Sequence, residues 1–282
     1  MVKWPQAILG CEYEWDDSDI IVFGAPMDTT TSYRPGTRMG PAAIRMESNG
    51  METYSPYQDM DLEDMRIHDA GELELAPGNA GKSIELIQEM TERILNAGKK
   101  PVMLGGEHLA SLGAIQSVLK HYPDLHIIHF DAHADLRTDY MKETLSHACV
   151  MRRVWESTGD KRIHQFGIRS GTKDEFTFAR EHCGFHPFTA DGIETVVQQL
   201  HSLPVYLTID LDVLDPSIFP GTGTPEPGGL AFKELLHALA QLRGLDIVGA
   251  DLVEYAPPLD PNGISAAVAC TAMREVLLLI RN

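Results

Sequence analysis

Three ionisable side chains occupy alternate positions after an apolar run in the middle of the chain. Asp131, His133 and Asp135 follow the segment LHIIHF at residues 125–130. Side chains at positions i, i+2 and i+4 lie on one face of an extended chain, so a strand ending here would direct all three at one point. Like charges at one point repel each other unless something positive lies between them. The pattern therefore predicts a cation-binding cluster.

Two further clusters have the same character. Asp210 and Asp212 follow the apolar residues 204–209, and His108 follows the apolar run that begins at residue 101. Four carboxylates and two imidazoles are too many for one ion but suit two, because two divalent cations would neutralise four negative charges. The six predicted metal ligands are His108, Asp131, His133, Asp135, Asp210 and Asp212.

The donor atoms of this set indicate which metal it would hold. Oxygen ligands with some imidazole and no thiolate favour Mn²⁺ over Zn²⁺, with Fe²⁺ and Co²⁺ as alternatives. Two such ions about 3.5–4 Å apart can share a bridging hydroxide, which is a nucleophile near neutral pH. The sequence therefore predicts a binuclear centre able to hydrolyse a poor electrophile.

Short apolar segments must position these side chains, and they alternate along the chain with amphipathic patterns. The segments predict strands at 20–25, 101–106, 125–132, 162–168, 204–212 and 245–254, and a strand and turn at 68–75. The amphipathic patterns predict helices at 80–97, 108–120, 173–182, 191–202, 229–243 and 264–281. Alternating strands and helices are typical of an α/β fold with a parallel sheet. Since the strands are apolar throughout, we expect helices on both faces of the sheet.

The polar clusters all come at the ends of predicted strands, as does Glu254 after the segment at 245–253. In open parallel sheets, ligands bind beyond the carboxyl ends of the strands. No linker or internal repeat divides the chain, so we predict one domain over residues 1–282. The Pro- and Gly-rich residues 215–229 form a long loop within it, and long loops in compact domains are often functional. We expect Asp215 to cap the turn before Pro216 rather than bind metal.

Charge and cysteine content narrow the classes of partner. The chain has 41 acidic and 23 basic residues, a formal charge of −18, which argues against nucleic acids and anionic membranes as partners. Four scattered cysteines without a CxxC pair suggest neither a thiolate metal site nor a disulfide framework. They fit a reducing, cytoplasmic location. The N-terminal residues 1–19 do not resemble a signal peptide, and no apolar run is long enough to span a membrane.

These motifs, in their order, resemble the ureohydrolases, the arginase/agmatinase family. The resemblance extends through GAPMDTTTSYRPGTRMGPAAIR (24–45), GGEH, DAHADLR, SHAC, IDLDVLDPSIFPGTGTPEPGG and VEYAPPLD. It implies a three-layer α/β/α domain with a parallel sheet of about eight strands, two Mn²⁺ ions per subunit, and a homotrimer or homohexamer. It also implies that Asp131 and Asp210 bridge the ions, one with His108 and Asp135, the other with His133 and Asp212.

The resemblance also implies two catalytic side chains. His147 matches the family's proton carrier, although the residue pattern alone fits equally well a first-turn helix residue after an N-cap at Ser146. Glu254 matches the glutamate that grips the guanidinium, and a carboxylate can do so through two hydrogen bonds. The alternative for Glu254 is an ordinary acid at a strand end. Thr224 is either a cavity residue or a structural one, and Arg38 and Arg45 are interpreted as structural or interface residues.

The loop at 136–149 bears on the substrate. It lacks the SGNLHG-like stretch with which arginases recognise an α-carboxylate and α-amine, and it most resembles bacterial agmatinases. We therefore predict hydrolysis of agmatine, a small cation, to putrescine and urea, with Asp139 or Glu143 near its amine. Alternatives are hydrolysis of guanidinobutyrate, guanidinopropionate or arginine, where Arg137 would face the substrate carboxylate, or of formiminoglutamate. A catalytically silent metal-binding protein is the alternative outside the enzymes.

Overall fold

A computed structural model describes residues 7–281 and contains ten strands and eight α-helices within that range. Residues 1–6, which belong to the segment expected not to be a signal peptide, and Asn282 lie outside the described residues. The strands are β1 Ile20–Ala25, β2 Tyr54–Ser55, β3 Met60–Asp61, β4 Ile67–Glu72, β5 Lys100–Gly105, β6 His126–Phe130, β7 Ile163–Phe166, β8 Gly184–His186, β9 Pro204–Asp210 and β10 Asp246–Val253. The helices are α1 Gly40–Glu47, α2 Ala80–Asn96, α3 Ala110–His121, α4 Val150–Thr158, α5 Lys173–His182, α6 Ile193–Leu200, α7 Phe232–Gln241 and α8 Ile264–Leu279.

Eight of the strands form one sheet in the order β4-β1-β5-β10-β9-β6-β7-β8. Every neighbouring pair in this sheet is parallel. The predicted fold class, an eight-stranded parallel sheet in a three-layer α/β/α arrangement, is therefore confirmed. The two-residue strands β2 and β3 form a separate antiparallel hairpin.

Successive residues of each central strand pack on opposite faces of the sheet. In β1, Val22 belongs to the core cluster that contains residues of α1, α6, α7 and α8. Its neighbours Ile21 and Phe23 belong to the cluster that contains residues of α2, α3 and α4. All six residues of β1 are buried, as the continuous apolar pattern predicted. Burial on both faces fixes the register of each strand and hence the side to which its last residues point.

The four strands followed by predicted site residues lie side by side at the centre of the sheet. They are β5, β10, β9 and β6, in that order. Because parallel strands all end at the same edge, His108, Asp131, Asp210 and Glu254 meet there although up to 146 residues separate them along the chain.

Some element boundaries differ from the prediction. The helix predicted from residue 108 begins at Ala110, so His108 lies in the loop after β5. Its backbone N–H donates a hydrogen bond to Glu254 Oε1, and His108 itself is not part of the helix. The three-residue strand β8 was not predicted, since it is short and only partly buried. None of the helices within residues 7–281 is both long and apolar enough to cross a membrane.

Candidate metal centre

The imidazole of His108 faces three carboxylates. Its Nδ1 lies 3.0 Å from Asp131 Oδ2, 3.2 Å from Asp135 Oδ2 and 3.4 Å from Asp210 Oδ2. Nδ1 is buried and has no hydrogen-bond partner, so it approaches these oxygens without the alignment of a hydrogen bond. A ring nitrogen and three carboxylate oxygens that converge in this way are the donor atoms that a cation site requires.

A second group adjoins the first and shares Asp131 with it. His133 Nδ1 lies 3.0 Å from Asp212 Oδ2 and 3.5 Å from Asp131 Oδ1. Ligand atoms of these three side chains all lie within 4.8 Å of one another. Backbone N–H groups hold two of the carboxylates in place, since Ala132 donates to Asp212 and Asp212 donates to Asp210. All six predicted ligands thus converge as two adjacent groups.

The far side of the His108 ring is fixed by a chain of hydrogen bonds in the sheet. Its Nε2 lies 3.1 Å from Thr208 Oγ1, which donates to Asp251 at 2.6 Å, and Tyr206 donates to the same carboxylate at 2.8 Å. Because Thr208 gives its only proton to Asp251, its oxygen accepts from His108 Nε2–H. The proton on Nε2 leaves Nδ1 as the ring nitrogen that faces the carboxylates.

A buried histidine within β6 supports Asp131 in a similar way. His129 Nε2 lies 2.9 Å from Asp131 Oδ2, and the amide of Gln165 donates to His129 Nδ1 at 3.1 Å. His129 therefore carries its proton on Nε2 and donates it to the carboxylate. Sequence analysis missed His129, Gln165 and Thr208, because all three lie inside apolar strands with no spacing that distinguishes them from core residues.

Burial or crowding of charge raises the pKa values of three of the predicted ligands. Burial alone would lower the pKa of His108, but its contacts with three aspartates outweigh burial and raise it well above the usual range. Burial, reinforced by Asp212 and Asp131, raises the pKa of Asp210 well above its ordinary value. Burial and the neighbouring Asp131 raise the pKa of Asp135 to about 7. Without added positive charge, the cluster therefore holds protons near neutral pH.

A cavity of about 240 Å³ opens onto the cluster. The predicted site residues that line it are His108, His133, Asp135, His147, Asp210, Asp212 and Glu254, and Asp131 lies fully buried behind them. Thr224 and Arg137 also line this cavity, whereas the predicted amine-binding acids Asp139 and Glu143 are not among its lining residues. Asp139 instead accepts a hydrogen bond from the backbone of Lys142.

Glu254 is held in a strained position beside the cluster. Its φ of +65° lies in the left-handed region, which few residues other than glycine adopt, and strain of this kind is common at functional sites. Its backbone N–H donates to Gly106, and its Oε1 accepts from the backbone N–H of His108. No residue other than glycine fits at position 106, because a Cβ there would lie 1.8 Å from the Met27 carbonyl oxygen. Burial, then Asp212, raises the pKa of Glu254 well above the usual range.

His147 also lines the cavity and lies in a single 3-10 turn before α4. Its Nδ1 lies 3.3 Å from Thr30 Oγ1 and its Nε2 lies 3.3 Å from Ser32 Oγ. Burial lowers the pKa of His147, so its ring is neutral at neutral pH and able to take up a proton. Ser146 precedes the turn but makes no N-cap hydrogen bond.

One arginine connects the loop at 215–229 to the turn Leu211–Val213, which contains Asp212. The guanidinium of Arg169 donates to backbone carbonyls of Asp212, Val213 and Glu226, among others. Asp215 accepts from Ser217 and from the backbone N–H groups of two loop glycines, as expected for a turn cap rather than a metal ligand.

Arg45 is structural, as the sequence suggested. It is 1 % exposed and donates to Asp69 at 2.8 Å and to Glu72 at 3.0 Å. This buried ion pair joins α1 to β4, away from the cavity.

Comparison with known proteins decides the family. The model of the arginase family matches residues 18–279. The chain belongs to the arginase family. Its membership agrees with the resemblance seen in the sequence motifs, which is thereby confirmed.

Individual arginase-family relatives match over most of their length. An agmatinase of Bacillus subtilis is 48% identical over 271 residues, which cover 94% of this chain and 93% of that protein. A crystal structure from Clostridium difficile is 46% identical, with a TM-score of 0.93 over 95% of this chain and 98% of that one. A human mitochondrial guanidino acid hydrolase is 36% identical, over 92% of this chain and 77% of that protein.

The described residues fit a metal pair, judged by their own chemistry. His108 offers an unpartnered buried nitrogen, and the nearby carboxylates offer converging oxygens, with no thiolate among them. Hard oxygen donors with imidazole suit manganese-like divalent ions.

Proposed function

We propose that this protein hydrolyses agmatine to putrescine and urea with two Mn²⁺ ions. The ions would bind the six predicted ligands His108, Asp131, His133, Asp135, Asp210 and Asp212. The observation that carries the proposal is the convergence of three carboxylates on the unpartnered His108 Nδ1, at the end of a cavity that Glu254 and His147 also line. Family membership and 48% identity to a Bacillus subtilis agmatinase support it. The chain is an enzyme of the metal-dependent hydrolase class that acts on linear amidines.

The ligands divide as the family resemblance implies. His108 and Asp135 would hold one ion, His133 and Asp212 the other, and Asp131 and Asp210 would contribute to both. Asp210 contacts a residue of each group, since its Oδ2 lies 3.4 Å from His108 Nδ1 and its Oδ1 accepts the backbone N–H of Asp212, which supports a shared role. Divalent ions held by these residues would supply a hydrolytic nucleophile at neutral pH, because a metal ion lowers the pKa of water.

The protein's own side chains would handle the substrate. A guanidinium carbon is a poor electrophile because its charge is spread over three nitrogens, so orientation matters. We assign Glu254 to bind the guanidinium, since its carboxylate lies beside His108 at the cavity wall and can accept two N–H bonds. We assign His147 to deliver the proton that the departing amine needs, because it is neutral, half-buried and lines the same cavity.

A second candidate substrate class has a specific observation behind it. Arg137 lines the cavity, 37 % exposed, with its Nε 3.4 Å from Glu175 and its guanidinium over the Tyr140 ring. A cation at the cavity wall favours guanidino compounds that end in a carboxylate, such as guanidinobutyrate. Similarity to a human guanidino acid hydrolase agrees with this alternative. The adjacent Glu175 offsets the charge of Arg137, so agmatine remains the first proposal.

The proposal also includes the location, the assembly and the domain organisation of the protein. All four cysteines are buried and unpaired, which supports a reducing, cytoplasmic location. From the family resemblance, we also propose assembly into a homotrimer or homohexamer. We further propose that residues 1–282 form one ureohydrolase domain.

Urea release from a panel of substrates tests the proposal. Manganese-loaded protein should release urea from agmatine faster than from guanidinobutyrate, guanidinopropionate or arginine. The Asp131→Asn variant should lose both bound manganese and urea release, because it removes a carboxylate shared by both groups. The exposed Asp124→Asn serves as the matched control. Parent-like urea release by Asp131→Asn would refute the mechanism, and two bound ions without turnover of any guanidino compound would favour the catalytically silent alternative.

A further inference from the structure

One ring nitrogen of His133 faces a carboxylate that does not belong to the metal cluster. The Nδ1 atom of His133 lies near Asp131 and Asp212, whereas its Nε2 lies 3.8 Å from Oε1 of Glu226. Within residues 7–281, Nε2 forms no hydrogen bond, and Glu226 is the one acid beside it. The side chains of His133 and Glu226 are 24 % and 38 % exposed, so both have room to rotate.

The backbone that carries Glu226 is fixed by its neighbours. Glu226 lies in the loop at 215–229, between Pro225 and Pro227. Proline fixes its own φ and restricts the residue before it, so Glu226 has few backbone conformations available. Its backbone carbonyl accepts two hydrogen bonds from the Arg169 guanidinium, at 2.8 and 3.1 Å. The loop therefore presents this side chain beside His133 without any contribution from the metal cluster.

Ser170 connects this loop to the segment that carries His133. The Ser170 hydroxyl donates to Glu226 Oε1 at 2.7 Å. Ser170 also forms a parallel β-bridge with His133, and its carbonyl accepts the backbone N–H of Ala134 at 3.1 Å. A carboxyl oxygen has two lone pairs, so Oε1 can accept a second hydrogen bond while it keeps that of Ser170. The oxygen is thus oriented by the same strand end that positions the histidine.

A histidine that holds a metal ion through one ring nitrogen carries its proton on the other, and that N–H commonly donates to a carboxylate. We propose that Glu226 is a positioning residue for the metal pair, which accepts the Nε2–H of His133 and keeps Nδ1 directed at the cations. The inference rests on the proposed function in taking His133 as a metal ligand. Because 3.8 Å exceeds hydrogen-bond length, the contact closes in the loaded protein by side-chain rotation or through one water. It does not depend on the charge of Glu226, since a carboxyl group offers an accepting oxygen in either protonation state.

Manganese affinity tests this role without any turnover. Equilibrium dialysis against manganese, followed by metal analysis of the protein, measures how tightly each ion is held. Glu226→Leu removes the accepting oxygen, so the Kd of one of the two ions should rise about 10–100-fold. Glu226→Gln keeps an accepting oxygen and should bind manganese nearly as the parent does. The matched control is Glu194→Leu, because Glu194 lies 3.9 Å from Nε2 of His237, an exposed histidine outside the cavity lining, and it should leave the affinity unchanged.

Parent-like manganese affinity in Glu226→Leu, or an equal loss in Glu226→Gln, would overturn the proposal. So would a raised KM for agmatine with unaltered manganese affinity, because Glu226 would then act on the substrate. A crystal structure of the manganese-loaded parent is a second test that needs no variant. It should show His133 Nε2 bonded to Glu226 directly or through one water, and a bond to a different acceptor would contradict the assignment. A parent that binds two ions but releases no urea would refute the proposed function and leave this inference standing.

Discussion

Replacing Asp210 by Asn should change stability in opposite directions with and without metal. Asp210 is 2 % exposed, and burial together with Asp212 and Asp131 raises its pKa. In the metal-free protein the charge of Asp210 is therefore unfavourable. Asn has nearly the same shape and its amide oxygen can still accept the backbone N–H of Asp212, now at 2.8 Å from Oδ1. We expect the metal-free variant to melt at the same temperature as the parent or higher.

With manganese bound, the Asp210→Asn variant should instead melt at a lower temperature than the parent. An ion at 100 times its dissociation constant stabilises a fold by about 2.7 kcal/mol. For the 282-residue chain, an unfolding entropy of about 2.1 cal/mol/K per residue gives about 0.6 kcal/mol/K, hence about 4–5 °C per bound ion. Two ions should raise the parent's Tm by about 9 °C. Asp210→Asn replaces one carboxylate oxygen of the first group by an amide nitrogen and removes a negative charge next to Asp212 in the second group, so most of this gain should disappear.

Melting curves of parent, Asp210→Asn and the exposed control Asp191→Asn, each with chelator and with manganese, provide the assay. The control should gain as much from manganese as the parent does. A metal-free Asp210→Asn protein that melts several degrees below the parent would show that the carboxylate stabilises the fold by itself. An undiminished manganese shift in that variant would show that Asp210 is not a ligand. Either result refutes the assignment.

Two further predictions concern residues outside the cavity. Burial, followed by the nearby His126 and His186, lowers the pKa of His164 to about 4. Because the unfolded chain has a His pKa of about 6.5, stability is full above that value and falls as pH drops toward 4, by about 2 kcal/mol at pH 5. His164→Gln should flatten this acid loss in melting curves, while exposed His237→Gln should not. Arg45→Met leaves Asp69 buried without its cation and should cost about 3–5 kcal/mol in denaturant unfolding, against under about 1 kcal/mol for exposed Arg66→Met.

The convergence of the site was predictable because it depends on only two regularities. Parallel strands end at one edge, and residues two apart on a strand face the same way. Asp131 and Asp210 therefore had to lie at that edge whatever the strand order. The order itself was not predictable, since continuous apolar strands such as β9 and β10 carry no pattern that identifies their neighbours.

The residues that support the ligands were hidden for a related reason. His129 and Thr208 lie within buried strands, where one polar residue among apolar ones looks like a satisfied core residue. Their roles depend on which strand lies alongside, as with Gln165 in β7 and Asp251 in β10. Glu226 was similarly overlooked, because its partner Ser170 is 56 residues away along the chain and no local pattern predicts that contact. Neither Asp139 nor Glu143, predicted to lie near the substrate amine, is among the residues that line the cavity, because loop acids have no periodicity that fixes their direction.

The directions of the pKa shifts provide a separate argument for two dications. Four of the predicted ligands have raised pKa values, namely His108, His133, Asp135 and Asp210. The cluster contains four carboxylates, so with neutral imidazoles its full ionisation would give a charge of −4. Two divalent ions would bring four positive charges and compete with protons for the same donor atoms. A single dication would leave two of the four negative charges unbalanced. The charge of the cluster therefore favours a metal pair over a single ion.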